Sequence, residues 1–277
     1  MNEAVAGRLF VVSTPIGNMG DLTYRAVEVL RSVSLVLAED TRHSRPLLQR
    51  YDVEVPLAPY HEHNEARATP RIVDRLQRGE DVALISDAGT PLLSDPGARL
   101  VKSAIEAGIE VVPVPGASAL LAALVGSGLD ATRFTFFGFL PRKGRERRQA
   151  LDEIARLRHT AVLYEAPARV AGSLGELAAM GGAARQGVVA RELTKQFEEY
   201  RRGTVDELAA YYRESPPRGE VVIVIAAGAV EAPAEEDIRS RVQSLRAEGS
   251  SAREITRTLV EEMQVPRNVA YRLAHEP

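Results

Sequence analysis

The stretch that most limits what this chain can fold into is residues 82–97, Val-Ala-Leu-Ile-Ser-Asp-Ala-Gly-Thr-Pro-Leu-Leu-Ser-Asp-Pro-Gly. It opens with four apolar residues and no alternation, the pattern of a parallel strand covered on both faces. At Ser86 the character switches to small, polar and turn-forming residues. Gly89 and Gly97 permit positive φ, whereas Pro91 and Pro96 fix φ and remove donors. Asp95 stands where a helix N-cap belongs, with Pro96 at the first helical position. A small-residue loop at the carboxyl end of a parallel strand is where open α/β sheets bind ligands. A tight strand-to-helix turn without a ligand is the plainer reading of the same residues.

The flanking sequence repeats this rhythm. Strands are predicted over 9–13, 35–38 and 110–114, with an extended piece near 56–61. Helices are predicted over 22–31, 44–50, 66–78, 98–107 and from 115 to about 126. The 66–78 segment puts Ile72, Val73 and Leu76 on one face with arginines opposite, and Gly79 closes it. These five strand-helix repeats read as an open, mostly parallel α/β domain over 1–116. After Gly128 the pattern changes. The strand 134–139 holds four of the chain's six phenylalanines, and Leu140-Pro141 ends it. A helix to about 157, strands at 161–164, 188–191 and 221–226, helices at 170–179 and 206–213, and a hairpin around 194–204 follow. Strands in succession without a helix between them point to a mixed sheet. Residues 117–228 therefore read as a second α/β domain of different topology. An Ala/Pro linker then leads to helical segments at 236–247, 252–263 and 267–275, so 229–277 is a linker plus a small helical domain, helix-turn-helix-like in spacing.

A chain of 277 residues can hold two medium domains and such an appendage. No apolar run approaches the roughly 18 residues of a membrane span, and residues 1–8 lack a signal-peptide core. A cytoplasmic protein without membrane association is the expectation. The absence of cysteine excludes disulfides, thiolate metal sites and a cysteine nucleophile. A net charge of -3 confines any nucleic-acid surface to a local patch.

The chemistry-bearing motifs are few. His61 and His63 share a face of an extended segment, but no third ligand follows at a recognisable spacing, so no metal is expected. The phosphate-binding Gly-Lys-Ser/Thr loop, the Gly-x-Ser-x-Gly elbow and the Gly-x-Gly-x-x-Gly fingerprint are all missing. What remains are three small-residue loops, 14–20, 86–91 and 115–119, which present backbone N–H and C=O groups with little bulk. They suit a flat, zwitterionic nucleoside cofactor better than a metal or a nucleoside triphosphate.

Six motifs occur in order: Thr14-Pro15-Ile16-Gly17-Asn18, Glu39-Asp40-Thr41-Arg42, Ser86-Asp87-Ala88-Gly89-Thr90-Pro91, Pro115-Gly116-Ala117-Ser118-Ala119, Tyr164-Glu165-Ala166-Pro167-x-Arg169 and Arg191-Glu192-Leu193-Thr194-Lys195. So arranged, they closely resemble the tetrapyrrole-methylase fold family. Within it, they resemble the bacterial enzymes that methylate the 2′-hydroxyl of a decoding-site cytidine in small-subunit (16S) ribosomal RNA. Singly, only the Asp-Ala-Gly-Thr-Pro loop is suggestive, and the wider fold shares it. The resemblance spans residues 7–228, and the tail is similar to that family's C-terminal helical domain. It implies two α/β domains with S-adenosylmethionine in the cleft between them. The cofactor residues it implies are Pro15, Ser86, Asp87, Ala88, Gly89, Thr90, Pro91, Gly116, Ala117 and Ser118. It also implies 16S ribosomal RNA in the small subunit as partner, and a homodimer. A methionine carboxylate suits the helix N-terminus after Gly116, and adenine needs an apolar slot, which Leu92 and Leu93 could wall unless they belong to the core.

A ribose hydroxyl must lose its proton as it attacks, and a positioned base typically contributes about 10²–10⁴-fold. Asp40, Glu192 and a Lys195 with its pKa lowered by burial are the candidates. Arg191, Glu192 and Lys195 could equally form a structural ion network or hold phosphate. Arg42 and Arg169 grip RNA phosphate or pair with carboxylates, Glu39 and Glu165 being the obvious partners. The run Arg142, Lys143, Arg145, Arg147 and Arg148 puts five cations in seven residues directly after the aromatic strand. It reads as an RNA-contact loop, with a merely solvated face as the alternative. In the tail, Arg267, Asn268, Tyr271 and Arg272 could meet RNA, the catalytic domains or a second copy. Two other functions compete: methylation of a small tetrapyrrole, and a non-catalytic RNA-binding module.

Overall fold

In the computed structural model, which describes residues 6–228, 235–263 and 265–276, the strands form two five-stranded sheets. The first contains β1 (Leu9–Val12), β2 (Leu35–Ala38), β3 (Leu57–Pro59), β4 (Val82–Ile85) and β5 (Val111–Val114), in the order β3-β2-β4-β1-β5. All its pairings are parallel. The lack of alternation in β2 and β4 has a direct cause, since both faces are covered. Phe10, Val12, Val36, Ala38, Ala83 and Ile85 face α1 (Tyr24–Ser32) and α2 (Thr41–Arg50). Leu9, Leu35, Leu37, Val82 and Leu84 face α3 (Glu65–Gln77) and α4 (Ala98–Glu106).

After α5 (Ala119–Ser127) the second sheet uses β6 (Phe134–Phe139), β7 (Thr160–Glu165), β8 (Gln186–Arg191), β9 (Glu199–Thr204) and β10 (Val221–Ile225), in the order β6-β7-β10-β8-β9. Only β6–β7 is parallel; the other three pairings are antiparallel. One face packs on α6 (Gly144–Arg156), α7 (Val170–Leu177) and α8 (Val205–Glu214). The other face takes Leu120, Ala123 and Leu124 of α5 together with Ile16 from the loop after β1. The described residues up to Ala227 thus form one compact unit. That two-sheet α/β architecture is the fold class expected from the sequence.

Three local departures matter for the site. Asp95 does not cap α4: the helix starts at Ala98 with Gly97 as its N-cap, at φ 130°. A Cβ at Gly97 would lie 2.6 Å from Leu84 Cδ2, so no other residue fits there without movement. Leu92 and Ser94 also have positive φ, 73° and 72°, and the loop curls so that Asp95 lines a cavity instead. Helix α2 begins three residues earlier than expected because Asp40 caps it, its Oδ1 accepting the Arg42 N–H at 2.8 Å. The hairpin is also longer: β8 pairs with β9 from Gln186↔Thr204 to Arg191↔Glu199, so residues 192–198 form the turn rather than a strand.

The second unit, from Gly228 on, contains α9 (Glu235–Ala247), α10 (Ala252–Glu262) and α11 (Arg267–His275). Ile238, Val242, Leu245, Ile255, Leu259, Ala270 and Leu273 make its core. The linker expected over 229–234 lies outside the described residues. Among the described residues no helix is long and apolar enough to cross a membrane.

Candidate active site

Three loops interlock at the carboxyl edge of the first sheet. The Thr14 N–H donates to Gly89 O at 2.9 Å, and the Gly89 N–H returns a bond to Thr14 O at 3.1 Å. The buried Thr14 hydroxyl donates to Ser86 O at 3.1 Å, and the Ser86 hydroxyl donates to Gly89 O at 3.0 Å. Ser13 Oγ donates to Thr90 Oγ1, which donates on to Ala117 O, each at 3.1 Å. Gly116 lets the third loop close in, since a Cβ there would sit 2.9 Å from Ser13 Cβ. Hydroxyls and backbone thus satisfy one another, leaving a rigid cradle of small residues.

The cradle forms one wall of a cavity of about 370 Å³. Asp87, Ala88, Gly89, Thr90 and Ser118 line it, with Ile16, Leu93, Phe139, Tyr164 and Val222 as apolar surface. Phe139 and Tyr164 pack edge to face at 5.4 Å. Pro15 and Ser86 line an adjoining recess of about 220 Å³, which shares Ile16, Asp87, Ala88 and Glu220 with the main cavity. Pro91, Gly116 and Ala117, expected at the cofactor, line neither cavity; Pro91 is buried, Gly116 is exposed, and Ala117 contributes the carbonyl that holds Thr90. Ser118, the N-cap of α5, makes no side-chain capping bond. Of the N–H groups at the start of that nine-residue helix, that of Leu120 meets the Tyr164 hydroxyl, while Ser118 and Ala119 line the cavity with no side-chain cap on their N–H groups among the described residues.

The cavity is acidic on one side. Asp95 is pushed up to about 6, first by burial and then by the charges of Glu39 and Asp87, with a Ser86 hydrogen bond opposing. Glu39 is also raised, by burial and by Asp87, partly offset by His61. No cation pairs with Asp95 among the described residues. A half-buried carboxylate without a counter-ion, on a loop with four positive-φ residues, Gly89, Leu92, Ser94 and Gly97, costs folding energy.

The three bases expected from sequence sit in different surroundings. Burial alone would lower the Lys195 ammonium, but hydrogen bonds to Glu220 Oε2 (3.0 Å) and Glu192 Oε1 (3.1 Å) raise it instead. The expectation of a Lys195 lowered by burial is therefore corrected. Glu192 lies below the usual carboxylate range: burial would raise it, but Lys195 and the Glu220 N–H outweigh that. The Asp40 carboxylate falls to about 2 because the Arg42 guanidinium and N–H both bind it. Asp40 is thus a helix cap and ion partner, and a poor proton acceptor.

The basic loop divides. Arg142, Lys143, Arg145 and Arg148 are exposed and make no hydrogen bond or ion pair with described residues. Arg147 departs from the expected RNA contact. It is only 8% exposed and is held by Glu176 (2.9 Å), Ser173 (3.0 Å) and the Pro141 carbonyl (3.2 Å). Its Nη1 also lies 3.8 Å from Glu165. Arg169 is likewise anchored, to Glu165 Oε1 at 2.5 Å and to Leu140 O at 3.1 Å, which is the carboxylate-pairing alternative. Arg42 pairs with Asp40 rather than Glu39, yet its side chain is 89% exposed.

Sequence reasoning passed over Asp95, Glu220 and Phe139. Asp-Pro before a helix reads as a cap, which hides the first. Glu220 sits in no motif, 25 residues beyond Lys195. The aromatic strand was visible, but not which of its rings would face a cavity.

Two sheets border one cavity, walled by a small-residue cradle and a helix N-terminus at the carboxyl ends of parallel strands, where proteins of the open α/β class place ligand sites. The family model for Tetrapyrrole (Corrin/Porphyrin) Methylases matches residues 8–209, and the chain belongs to that family. Within the family it is similar to proteins named Ribosomal RNA small subunit methyltransferase I. The one from Synechocystis is 46% identical over 273 residues, covering 98% of each chain. The one from Pseudomonas aeruginosa is 52% identical over 223 residues, covering 80% of this chain and 79% of its own. Among solved structures, a uroporphyrin-III C-methyl transferase from Thermus thermophilus, complexed with S-adenyl homocysteine, superposes with a TM-score of 0.57 at 20% identity. It covers 79% of this chain and 97% of its own, and that likeness concerns the fold.

Proposed function

We propose that this protein transfers a methyl group from S-adenosylmethionine to the 2′-hydroxyl of a decoding-centre cytidine in 16S ribosomal RNA. The observation that carries the reading is the cleft itself: small-residue cradle, apolar wall, open helix N-terminus and unpaired carboxylate around about 370 Å³, a volume suited to a small cofactor. The relatives' names supply the RNA.

The residues present fit the cofactor by their chemistry. The free N–H groups at Ser118 and Ala119 suit an α-carboxylate. Ile16, Leu93 and Val222 offer an apolar slot for adenine, and Asp87 and Asp95 offer negative charge to a cationic ligand. When bound, S-adenosylmethionine supplies an electrophilic methyl group. Everything else falls to the chain's own side chains, and most of it is positioning. Asp95 is the best-placed proton acceptor: its carboxylate takes the proton of the ribose hydroxyl at a side-chain oxygen. A base poised near neutrality is what such a step needs. Lys195, held as an ammonium, fastens the 192–195 turn to Glu220 and packs against Gly17. Arg142, Lys143, Arg145 and Arg148 engage RNA phosphates, with Arg42 as an outlying contact. The exposed Leu121 and Val125 of the apolar helix α5, together with Phe197, support the expected homodimer.

Supplying purified small ribosomal subunits and, separately, a reduced tetrapyrrole with labelled S-adenosylmethionine tests the class of acceptor. Label in RNA alone is expected. Label in the tetrapyrrole alone would replace the reading with small-molecule methylation.

A further inference from the structure

The seven described arginines of the helical tail fall into two groups. Four are tied to the protein. Arg239 pairs with Glu276 (3.3 Å), Arg241 with Glu262 (3.1 Å) and Arg272 with Glu276 (3.9 Å). Arg246 binds the carbonyls of Leu273, Ala274 and Glu276. The other three, Arg253, Arg257 and Arg267, make no hydrogen bond or ion pair with any described residue. These three all line one groove of about 860 Å³ between α10 and α11.

The groove is built from two helical stripes. Arg253 and Arg257 lie one turn apart on α10, and Arg267, Tyr271 and His275 follow at four-residue spacing on α11, so each set shares a face. All five side chains are exposed. Tyr271 and His275 stack with ring centroids 4.1 Å apart and planes tilted by 31°, and His275 Nδ1 lies 2.8 Å from Tyr271 O. The acidic residues here are Glu254 and Glu261. Glu254 is committed to the capping box with Ser251, whose N–H and hydroxyl it binds at 2.8 and 2.7 Å. That leaves three cations and an aromatic platform against two carboxylates, of which Glu254 is held ionised by its Ser251 bonds and by the nearby Arg257 charge.

We infer that this α10/α11 groove binds a single-stranded segment of RNA, its phosphates on Arg253, Arg257 and Arg267 and an unstacked base on Tyr271. The inference rests on the proposed RNA substrate. Free guanidinium groups beside an exposed ring meet the two needs of single-stranded RNA, backbone neutralisation and base stacking. A protein partner would need a larger apolar patch than this groove offers, where the exposed rings are Tyr271 and His275 and the other exposed lining side chains are polar or charged.

The test is direct binding, read without methyl transfer. Full-length wild type, R253Q/R257Q/R267Q, Y271A and the charge-keeping R253K/R257K/R267K are titrated against a fluorescent single-stranded oligonucleotide of 16S sequence and against purified small subunits, over a salt series. Binding of S-adenosylhomocysteine is measured in parallel. The glutamine triple variant should bind the oligonucleotide about tenfold or more weakly, with a log–log salt slope shallower by about 2. Y271A should lose affinity about fivefold or more with an unchanged slope. The lysine variant should keep the slope, and all four should bind S-adenosylhomocysteine equally. Unchanged oligonucleotide affinity and slope in the glutamine variant would overturn the groove. So would a loss confined to whole subunits, which would assign it to a ribosomal protein. Failure of wild type to methylate RNA while these binding differences persist would sink the catalytic reading and leave the groove standing.

Discussion

Asp95 carries the sharpest consequences at the scale of single residues. Its carboxyl, raised to about 6 by burial and by the nearby Glu39 and Asp87 charges, is ionised only above that pH. If it accepts the ribose proton, single-turnover methylation should fall about tenfold per pH unit below 6, and a bound cationic cofactor should move that limb lower. D95N should lose the limb and about 10²–10⁴ in rate while still binding S-adenosylhomocysteine; a D95N rate within tenfold of wild type would exclude the role. The same shift has a stability consequence of opposite sign. A carboxyl raised above its unfolded value of about 3.9 weakens the fold when ionised, and that cost disappears as pH falls from 6 to 4. D95N should therefore be more stable than wild type at pH 7, by about 1 kcal/mol, and lose that advantage by pH 4, as urea titrations would read. Lys195 provides the contrast. Raised by two carboxylates, it remains charged at neutral pH, so K195M should slow the chemical step less than tenfold. Asp95 was hidden in the sequence because Asp-Pro is a sound cap signal. Only the positive φ of Leu92 and Ser94, which no propensity encodes, turns it elsewhere.

Among the elements, α6 shows why a run of cations is not one surface. A helix from Gly144 sends Arg147, Leu151 and Ile154 inward at intervals of four and three, and all three are buried. Arg147 then meets Glu165, which is 1% exposed, beside the cavity. That spacing was in the sequence; what it lacked was the partners, the buried Glu165 at the end of β7 and Glu176 on α7. R147A should destabilise the protein by about 3 kcal/mol, the lower end for a broken buried pair because Arg169 still compensates Glu165. R145A should change stability by less than about 0.5 kcal/mol. Equal effects in thermal melts would contradict this division. The strands were easier to read. Both covered strands, β2 and β4, follow from uninterrupted apolar runs, since burial on two faces leaves no polar position to fill. Turn geometry was harder, because β8–β9 register depends on Glu192 and Thr194 adopting left-handed conformations.

At the scale of the whole molecule, motifs spread from Thr14 to Lys195 come to neighbouring places: Ile16 and residues 87–90, 118–119 and 164–167 line the main cavity, Lys195 the adjoining recess, and residues 39–42 a separate hollow beside His61 and His63. The motif loops were legible as ligand-type turns, and the resemblance assembled them. Their mutual hydrogen bonds, such as Thr14 to Gly89, were not legible, because contacts between distant loops leave no local pattern. RNA affinity should depend on the exposed cations of the basic loop: R142E/R145E/R148E should weaken binding and flatten its salt dependence by about 2 in log–log slope, and an unchanged slope would deny the loop a role. The proposed activity turns on the acceptor atom, the ribose 2′-oxygen. Transfer from labelled S-adenosylmethionine to small subunits purified from cells lacking this protein, followed by nuclease digestion and mass spectrometry, reads it directly. A single ribose-methylated cytidine in the decoding region is the expected product. Label on a base, on another nucleotide, or on no RNA at all would contradict it.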